Sequence, residues 1–179
     1  MNSFRIIFMV CLCTQLGFTQ RPDNTVQIAE MKKLAGFIGD WNGNGWIEYR
    51  PGQRSEFKGK ETILPKLSAT VIHIEGVHTS NIKGQDVVVH DALGIISFDP
   101  VAQQYRFRSY LATGISQDIE LKIVSENKFE WGFGDDKRGH FLFTIDLSDS
   151  DIWIETGMKS ADGVTWQKFF EMRLERQKL

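Results

Sequence analysis

Cysteine is almost missing from this chain: Cys11 and Cys13 are the only two, and both lie in an apolar run near the N-terminus. If that run is removed on export, what remains has neither disulfides nor thiolate chemistry, and its stability must come from burying a core. A basic run is missing too. The formal net charge is −2, and no segment is positive enough to follow a phosphate backbone, so nucleic acid is not an expected partner. The chain has no Gly-x-Ser-x-Gly elbow, no His-x-His and no His-Glu-x-x-His. Serine-hydrolase and zinc chemistry therefore lack a sequence signature, and no metal site is expected. No linker, repeat or low-complexity tract divides the chain, which is of single-domain length.

What is present begins with one positive charge, Arg5, followed by Ile6 to Phe18, apolar apart from Gly17, Thr14 and Gln15. That order matches the n- and h-regions of a signal peptide. Gly17 and Thr19 supply small residues at −3 and −1 of a cleavage before Gln20. The expected organisation is a signal peptide over 1–19 and one domain over 20–179, exported to the periplasm or the medium. The apolar run is too short to span a bilayer, so no stable membrane insertion is expected after cleavage. Cys11 and Cys13 follow Val10 and Leu12 rather than small residues, which argues against a lipid anchor.

Val26, Ile28, Ala29, Met31 and Leu34 fall on one stripe at helical spacing and predict a single short helix, about Thr25 to Gly36. Beyond Gly39 the period changes to two. Phe141, Phe143 and Ile145 alternate with His140, Leu142 and Thr144, and Ile119, Leu121 and Ile123 alternate with Asp118, Glu120 and Lys122. The runs are Asp40 to Tyr49, Arg54 to Leu64, Ser68 to Glu75, Gly76 to Asn81, Asp86 to Phe98, Gln104 to Leu111, Gln117 to Val124, Lys128 to Phe133, Gly139 to Leu147, Ile152 to Lys159 and Thr165 to Arg176. One or two should merge or vanish, leaving about ten strands. Turn residues such as Pro51-Gly52, Asp99-Pro100 and Ala161-Asp-Gly163 separate them. An antiparallel meander of this length must close or leave two long unpaired edges, so the expected fold is all-β, a single up-and-down barrel with one short helix in front, a sandwich being the alternative. About ten strands enclose more space than side chains easily fill. Phe107, Trp131, Phe143 and Trp153 are the expected cavity-lining residues.

The segment Leu34-Ala-Gly-Phe-Ile-Gly39-Asp-Trp41-Asn-Gly43-Asn-Gly45 resembles the start of lipocalin-like (calycin) barrels, especially the bacterial DUF1579-type and nitrobindin-like proteins. Ser160-Ala-Asp162-Gly163-Val-Thr165-Trp166, before a final strand ending in Arg173 and Arg176, resembles the last hairpin of DUF1579-type proteins. The resemblance implies that Trp41, following Gly39, plugs one end of the barrel under a guanidinium from the last strand, Arg173 or Arg176. A ring capped in this way gains about 0.5–2 kcal/mol and seals the base from water. Nitrobindin-like barrels bind haem through a histidine close to the C-terminal end, and this chain departs from that pattern: Trp166 to Arg176 contains no histidine. Met172 could ligate haem iron, but methionine on an apolar strand face is core by default.

The remaining candidates for chemistry are scattered. His73 and His78 are five apart and face opposite sides of a continuous strand, and a turn at Gly76 would separate them further. His90 and His140 lie on distant strands, and His90 and Asp91 point to opposite faces. Glu75, Glu120, Glu130 and Glu155 are strand carboxylates; alternation puts Glu120 and Glu130 outside, whereas Glu155 shares a face with Trp153. Arg106 and Arg108 lie on the face opposite Tyr105 and Phe107. No catalytic residue is assigned. The expected function is an exported binding or carrier protein for a small, largely apolar molecule, with no cofactor. The alternatives are an enzyme on a hydrophobic substrate, marked by an interior carboxylate or histidine with a displaced pKa, a haem-binding barrel, or a filled barrel serving as an interaction module.

Overall fold

A computed structural model describes residues 23–135, 137 and 139–178. The expected signal peptide at 1–19 and its cleavage site before Gln20 lie outside the described residues. A helix α1 (Thr25–Lys32) and a 3-10 turn (Ala35–Phe37) lead into ten strands. These are β1 (Gly39–Arg50), β2 (Gln53–Lys66), β3 (Val71–Ile82), β4 (Gln85–Asp99), β5 (Gln104–Leu111), β6 (Ser116–Ser125), β7 (Lys128–Asp135), β8 (Gly139–Asp146), β9 (Ile152–Ser160) and β10 (Gln167–Arg176). Each pairs antiparallel with its neighbours in sequence, and β1 pairs with β10 to close the barrel. The closing seam runs from Trp41 opposite Arg176 to Ile47 opposite Phe170. The fold is the expected up-and-down barrel, and closure leaves no open sheet edge.

Period-two alternation decides what lies inside. Phe57, Gly59, Glu61 and Ile63 of β2 are buried, while Lys58 and Lys60 between them are exposed. Gly94, Ile96 and Phe98 do the same on β4, and Trp153, Glu155 and Gly157 on β9. Arg106 and Arg108 face outward, both bonded to Asp118 across the β5–β6 pair.

One end of the barrel is sealed. Met31, Leu34 and Phe37 are buried against Trp153, Phe129 and Trp41. Trp41 is fully buried and its Nε1 donates to the Phe37 carbonyl at 2.8 Å. The Arg176 guanidinium lies over the Trp41 ring with Cζ 4.1 Å from its centre. It also donates from Nη1 to the Ile38 carbonyl (2.5 Å), from Nη2 to Gly36 (2.9 Å) and from Nε to Ser150 (2.8 Å). Gly39 sits at φ +138°, where a Cβ would lie 2.8 Å from Arg176 Nη1, so the residue must be glycine for the guanidinium to settle.

Three expectations need correction. The helix is shorter than Thr25 to Gly36, and the first half of its apolar stripe is solvated: Val26 is 51% exposed, whereas Met31 and Leu34 are buried. Only the C-terminal half reaches the barrel base. The runs Ser68 to Glu75 and Gly76 to Asn81 are one strand, β3, which begins only at Val71 because Leu67, Ser68 and Ala69 turn with positive φ. Gly76 is not a turn; it is an inward-facing position whose missing side chain makes room for the Glu61 carboxyl, which a Cβ would approach to 2.6 Å. Arg173, considered with Arg176 for the Trp41 cap, is on the outer face and 3.8 Å from Glu175, because residues of odd number on this part of β10 point to solvent.

Candidate functional site: a barrel cavity with a buried acid–imidazole cluster

Above the sealed base the interior is not filled. A cavity of about 310 Å³ runs toward the opposite end, where Tyr49, Val89, Leu111 and Ile115 form its rim. Phe107, Trp131, Phe143 and Trp153, expected to line the interior, all border it. Trp131 stacks on Phe143 with ring centres 4.1 Å apart and meets Phe107 edge-on at 5.4 Å. Trp153 forms the floor, edge-on to both Trp41 and Phe37. Glycine assists the aromatics, since a Cβ at Gly94 would come within 2.9 Å of Phe107. Met172, weighed as a haem ligand, is a buried cavity-wall residue beside Gly59.

Four titratable side chains interrupt the apolar wall. Glu61 (β2), His78 (β3), His90 (β4) and Glu155 (β9) all face the cavity. His78 Nε2 is 3.0 Å from Glu61 Oε1. His78 stacks between Phe57, at 4.5 Å with the rings nearly parallel, and His90, at 4.7 Å. His78 and His90 are direct cross-strand partners, and the next pair, Thr79 with Val88, lies past a bulge that leaves Val89 unpaired. His73 is on the outer face near Glu75, and His140 is far along the chain on β8.

Burial controls the charge of this cluster. It pushes the Glu61 carboxyl up to about 8. It pushes Glu155 up to about 8 as well, helped by the neighbouring Glu61 and opposed by the indoles of Trp131 and Trp153. It drives His78 and His90 down to about 4, and His78 adds to the effect on His90. Transferring charge into an apolar wall costs more than a neutral pairing does. At neutral pH the Glu61–His78 contact is therefore an uncharged hydrogen bond, with the carboxyl hydroxyl donating to an unprotonated Nε2. Trp153 Nε1 is buried without a hydrogen-bond partner among the described residues, although it lies near Glu155.

Of this cluster, alternation puts Glu155 beside Trp153, and Glu61 is the member that the sequence pattern alone does not single out. Its signal was available: Phe57, Glu61 and Ile63 share one parity of β2. The expected turn at Gly76 falls between His73 and His78; it is the antiparallel pairing of β3 with β4 that sets His78 and His90 side by side.

The cluster does not match the C-terminal histidine on which haem binding by nitrobindin-like barrels depends. Its imidazoles are stacked, and His78 Nε2 is already engaged by Glu61. Among the described residues no group of three or more metal-ligating side chains converges.

At the open end, the Ser160–Trp166 segment forms the β9–β10 turn. Asp162 Oδ1 accepts from Ser160 Oγ and from the Val164 and Thr165 amides, which hold its pKa well below the usual carboxylate range. This is loop architecture, outside the cavity wall.

No protein-family model and no curated protein sequence matches the chain. Solved structures do. Rv2717c from M. tuberculosis superposes with a TM-score of 0.61 at 14% identity, covering 83% of this chain and 97% of that one. The S-type phycobiliprotein lyase CPES from Guillardia theta superposes with a TM-score of 0.58 at 10% identity, covering 89% and 99%. At such identities the likeness is one of fold. This chain folds as a calycin-like barrel.

Proposed function

We propose that this chain is an exported binding or carrier protein for a small, largely apolar molecule held in the barrel cavity. The cavity carries the reading: about 310 Å³, walled by aromatic and aliphatic side chains with a few convergent polar groups, above the base packed by Phe37, Trp41 and Trp153. Burying a ten-carbon chain there is worth about 8 kcal/mol of transfer free energy at about 0.8 per methylene, before ordering and association costs. Micromolar binding is the expected scale. Titration with decanol, followed through the tryptophans that border the cavity, should saturate near one equivalent. Ala92→Phe, which places a ring inside the cavity, should abolish it. A signal that fails to saturate would defeat the carrier reading and favour the filled interaction module.

A second reading is favoured by one observation, the neutral Glu61–His78 pair at 3.0 Å. A carboxyl held protonated near neutrality beside an unprotonated imidazole can give and take a proton, the arrangement general acid–base catalysis needs. A phycobiliprotein lyase with the same fold is an enzyme on such a barrel. Incubating wild type and Glu61→Gln with a lipid-soluble extract tests this: a mass peak consumed by wild type alone supports catalysis, and identical traces dismiss it.

A further inference from the structure

The charge balance of the cavity narrows the ligand class. Among the described residues that line it there is no lysine and no arginine, yet two carboxyls, Glu61 and Glu155, face it from β2 and β9. Both are more than nine-tenths buried. Glu61 has a partner in His78, whereas Glu155 has only the indoles of Trp131 and Trp153 beside it. The Trp153 N–H is unpartnered and buried, 3% exposed. A buried carboxyl beside an unpartnered indole donor, in a cavity wall without a cation, forms an incomplete site. The indole supplies what a carboxylate needs, a donor, while the compensating positive charge is missing from the protein.

We propose that the ligand supplies that charge: a lipophilic primary amine whose ammonium group is held by Glu155 while its apolar tail lies along Phe107, Trp131 and Phe143. This inference rests on the carrier reading and specifies its ligand. On binding, Glu155 gives its proton to solvent and the ammonium takes its place, so one charge pair forms and one proton leaves. The indoles of Trp131 and Trp153 then face a carboxylate and strengthen it. The neutral Glu61 carboxyl, whose hydroxyl is taken by His78, offers its carbonyl oxygen to the ammonium as an acceptor. A fatty acid is the wrong ligand, because its carboxylate would meet two carboxyls and no cation.

The groups that face Glu155 determine the pH response. They are Glu61 on β2 and the indoles of Trp131 on β7 and Trp153 on β9, with His78 on β3 and His90 on β4 lining the same cavity. Its register partners, Ile145 on β8 and Met172 on β10, are apolar. Between pH 5 and pH 8 the amine stays charged while Glu155 becomes easier to ionise, so affinity for the amine should rise with pH, by up to about tenfold per unit.

Decylamine, decanol and decanoate, matched in tail and different in head, separate the possibilities when titrated into the intact protein at pH 5, 7 and 8. Decylamine should bind at least about tenfold tighter than decanol at pH 7, with decanoate weakest. Calorimetry in two buffers of different ionisation enthalpy should show about one proton released per decylamine bound and none for decanol. Glu155→Gln, isosteric and uncharged, should bring decylamine down to the affinity that decanol shows in the same variant. If decylamine binds no tighter than decanol, or releases no proton, or keeps its advantage in Glu155→Gln, the cationic inference is overturned while decanol binding still upholds the carrier reading. If none of the three saturates, both readings fail.

Discussion

Arg176 joins four things at once: the Trp41 ring and the carbonyls of Gly36, Ile38 and Ser150. We expect Trp41→Ala to cost about 3–5 kcal/mol, as truncation of a fully buried aromatic does. Double-mutant cycles in denaturant should give a coupling of about 1 kcal/mol between Trp41 and Arg176. Arg173→Ala should stay within about 0.5 kcal/mol of wild type and show no coupling, since its partner is an exposed glutamate. The cavity cluster makes a second prediction, in pH. Glu61 and Glu155 hold their protons in the folded state up to about 8 against an ordinary 4.5, so their contribution to stability is intact below 4.5 and is lost as pH rises toward 8. His78 and His90 are depressed to about 4 from 6.5, so their contribution is intact above 6.5 and is lost as pH falls toward 4. The two trends oppose each other between 4.5 and 6.5. Melting temperature should therefore be highest in that window and decline from 6.5 to 8, with a slope of up to about 1.4 kcal/mol per unit for each carboxyl. Glu61→Gln and Glu155→Gln should each flatten the alkaline decline, and an unchanged decline would show that these carboxyls are already ionised. Parity along a strand makes such residues legible in sequence only as sharing a face. That Glu155 and Glu61 meet across the barrel depends on register, which a single strand's pattern does not contain.

At the scale of elements, the strands were legible wherever inward and outward residues differ strongly, as on β6 and β8. Errors came where glycine carried two meanings. Gly76 reads as a turn between two short strands, but in β3 it is the space into which Glu61 folds beside His78. The end of the helix was obscured for a different reason. Val26 and Ile28 keep the stripe apolar without burying it, so periodicity overstates the packed length. The closing seam has its own glycine. A Cβ at Gly43 would stand 2.0 Å from the Arg173 carbonyl of β10, a backbone atom that cannot step aside. Gly43→Ala should thus weaken the β1–β10 ladder and lower stability by about 3 kcal/mol, near the upper range of overpacking. Hydrogen exchange should report the loss at the amides of Gly43 to Ile47 and their β10 partners before it reaches β5 and β6. Uniform protection in the variant would show that the seam absorbs the methyl.

For the whole molecule, closure follows from arithmetic that the sequence exposes: many short amphipathic strands in series with hairpin turns, and nothing to cover two free edges. Which residue closes the base, and how much of the interior stays empty, depends on side-chain volumes summed across all ten strands. Export is the expectation at this scale with the simplest measurement. The intact mass of protein recovered from the periplasm or the medium should correspond to a chain beginning at or within a few residues of Gln20, and a soluble cytoplasmic product retaining Met1 would refute it. The sealed base has one more consequence. The Arg176 amide bonds to Asp151 and the Gln177 amide to Asp40, so residues 23 and 178 both lie at that end, away from Tyr49, Val89 and Ile115. A tether or dye joined through either position, as on a sensor chip, would hang the molecule mouth outward, and ligand exchange would proceed as it does in free solution.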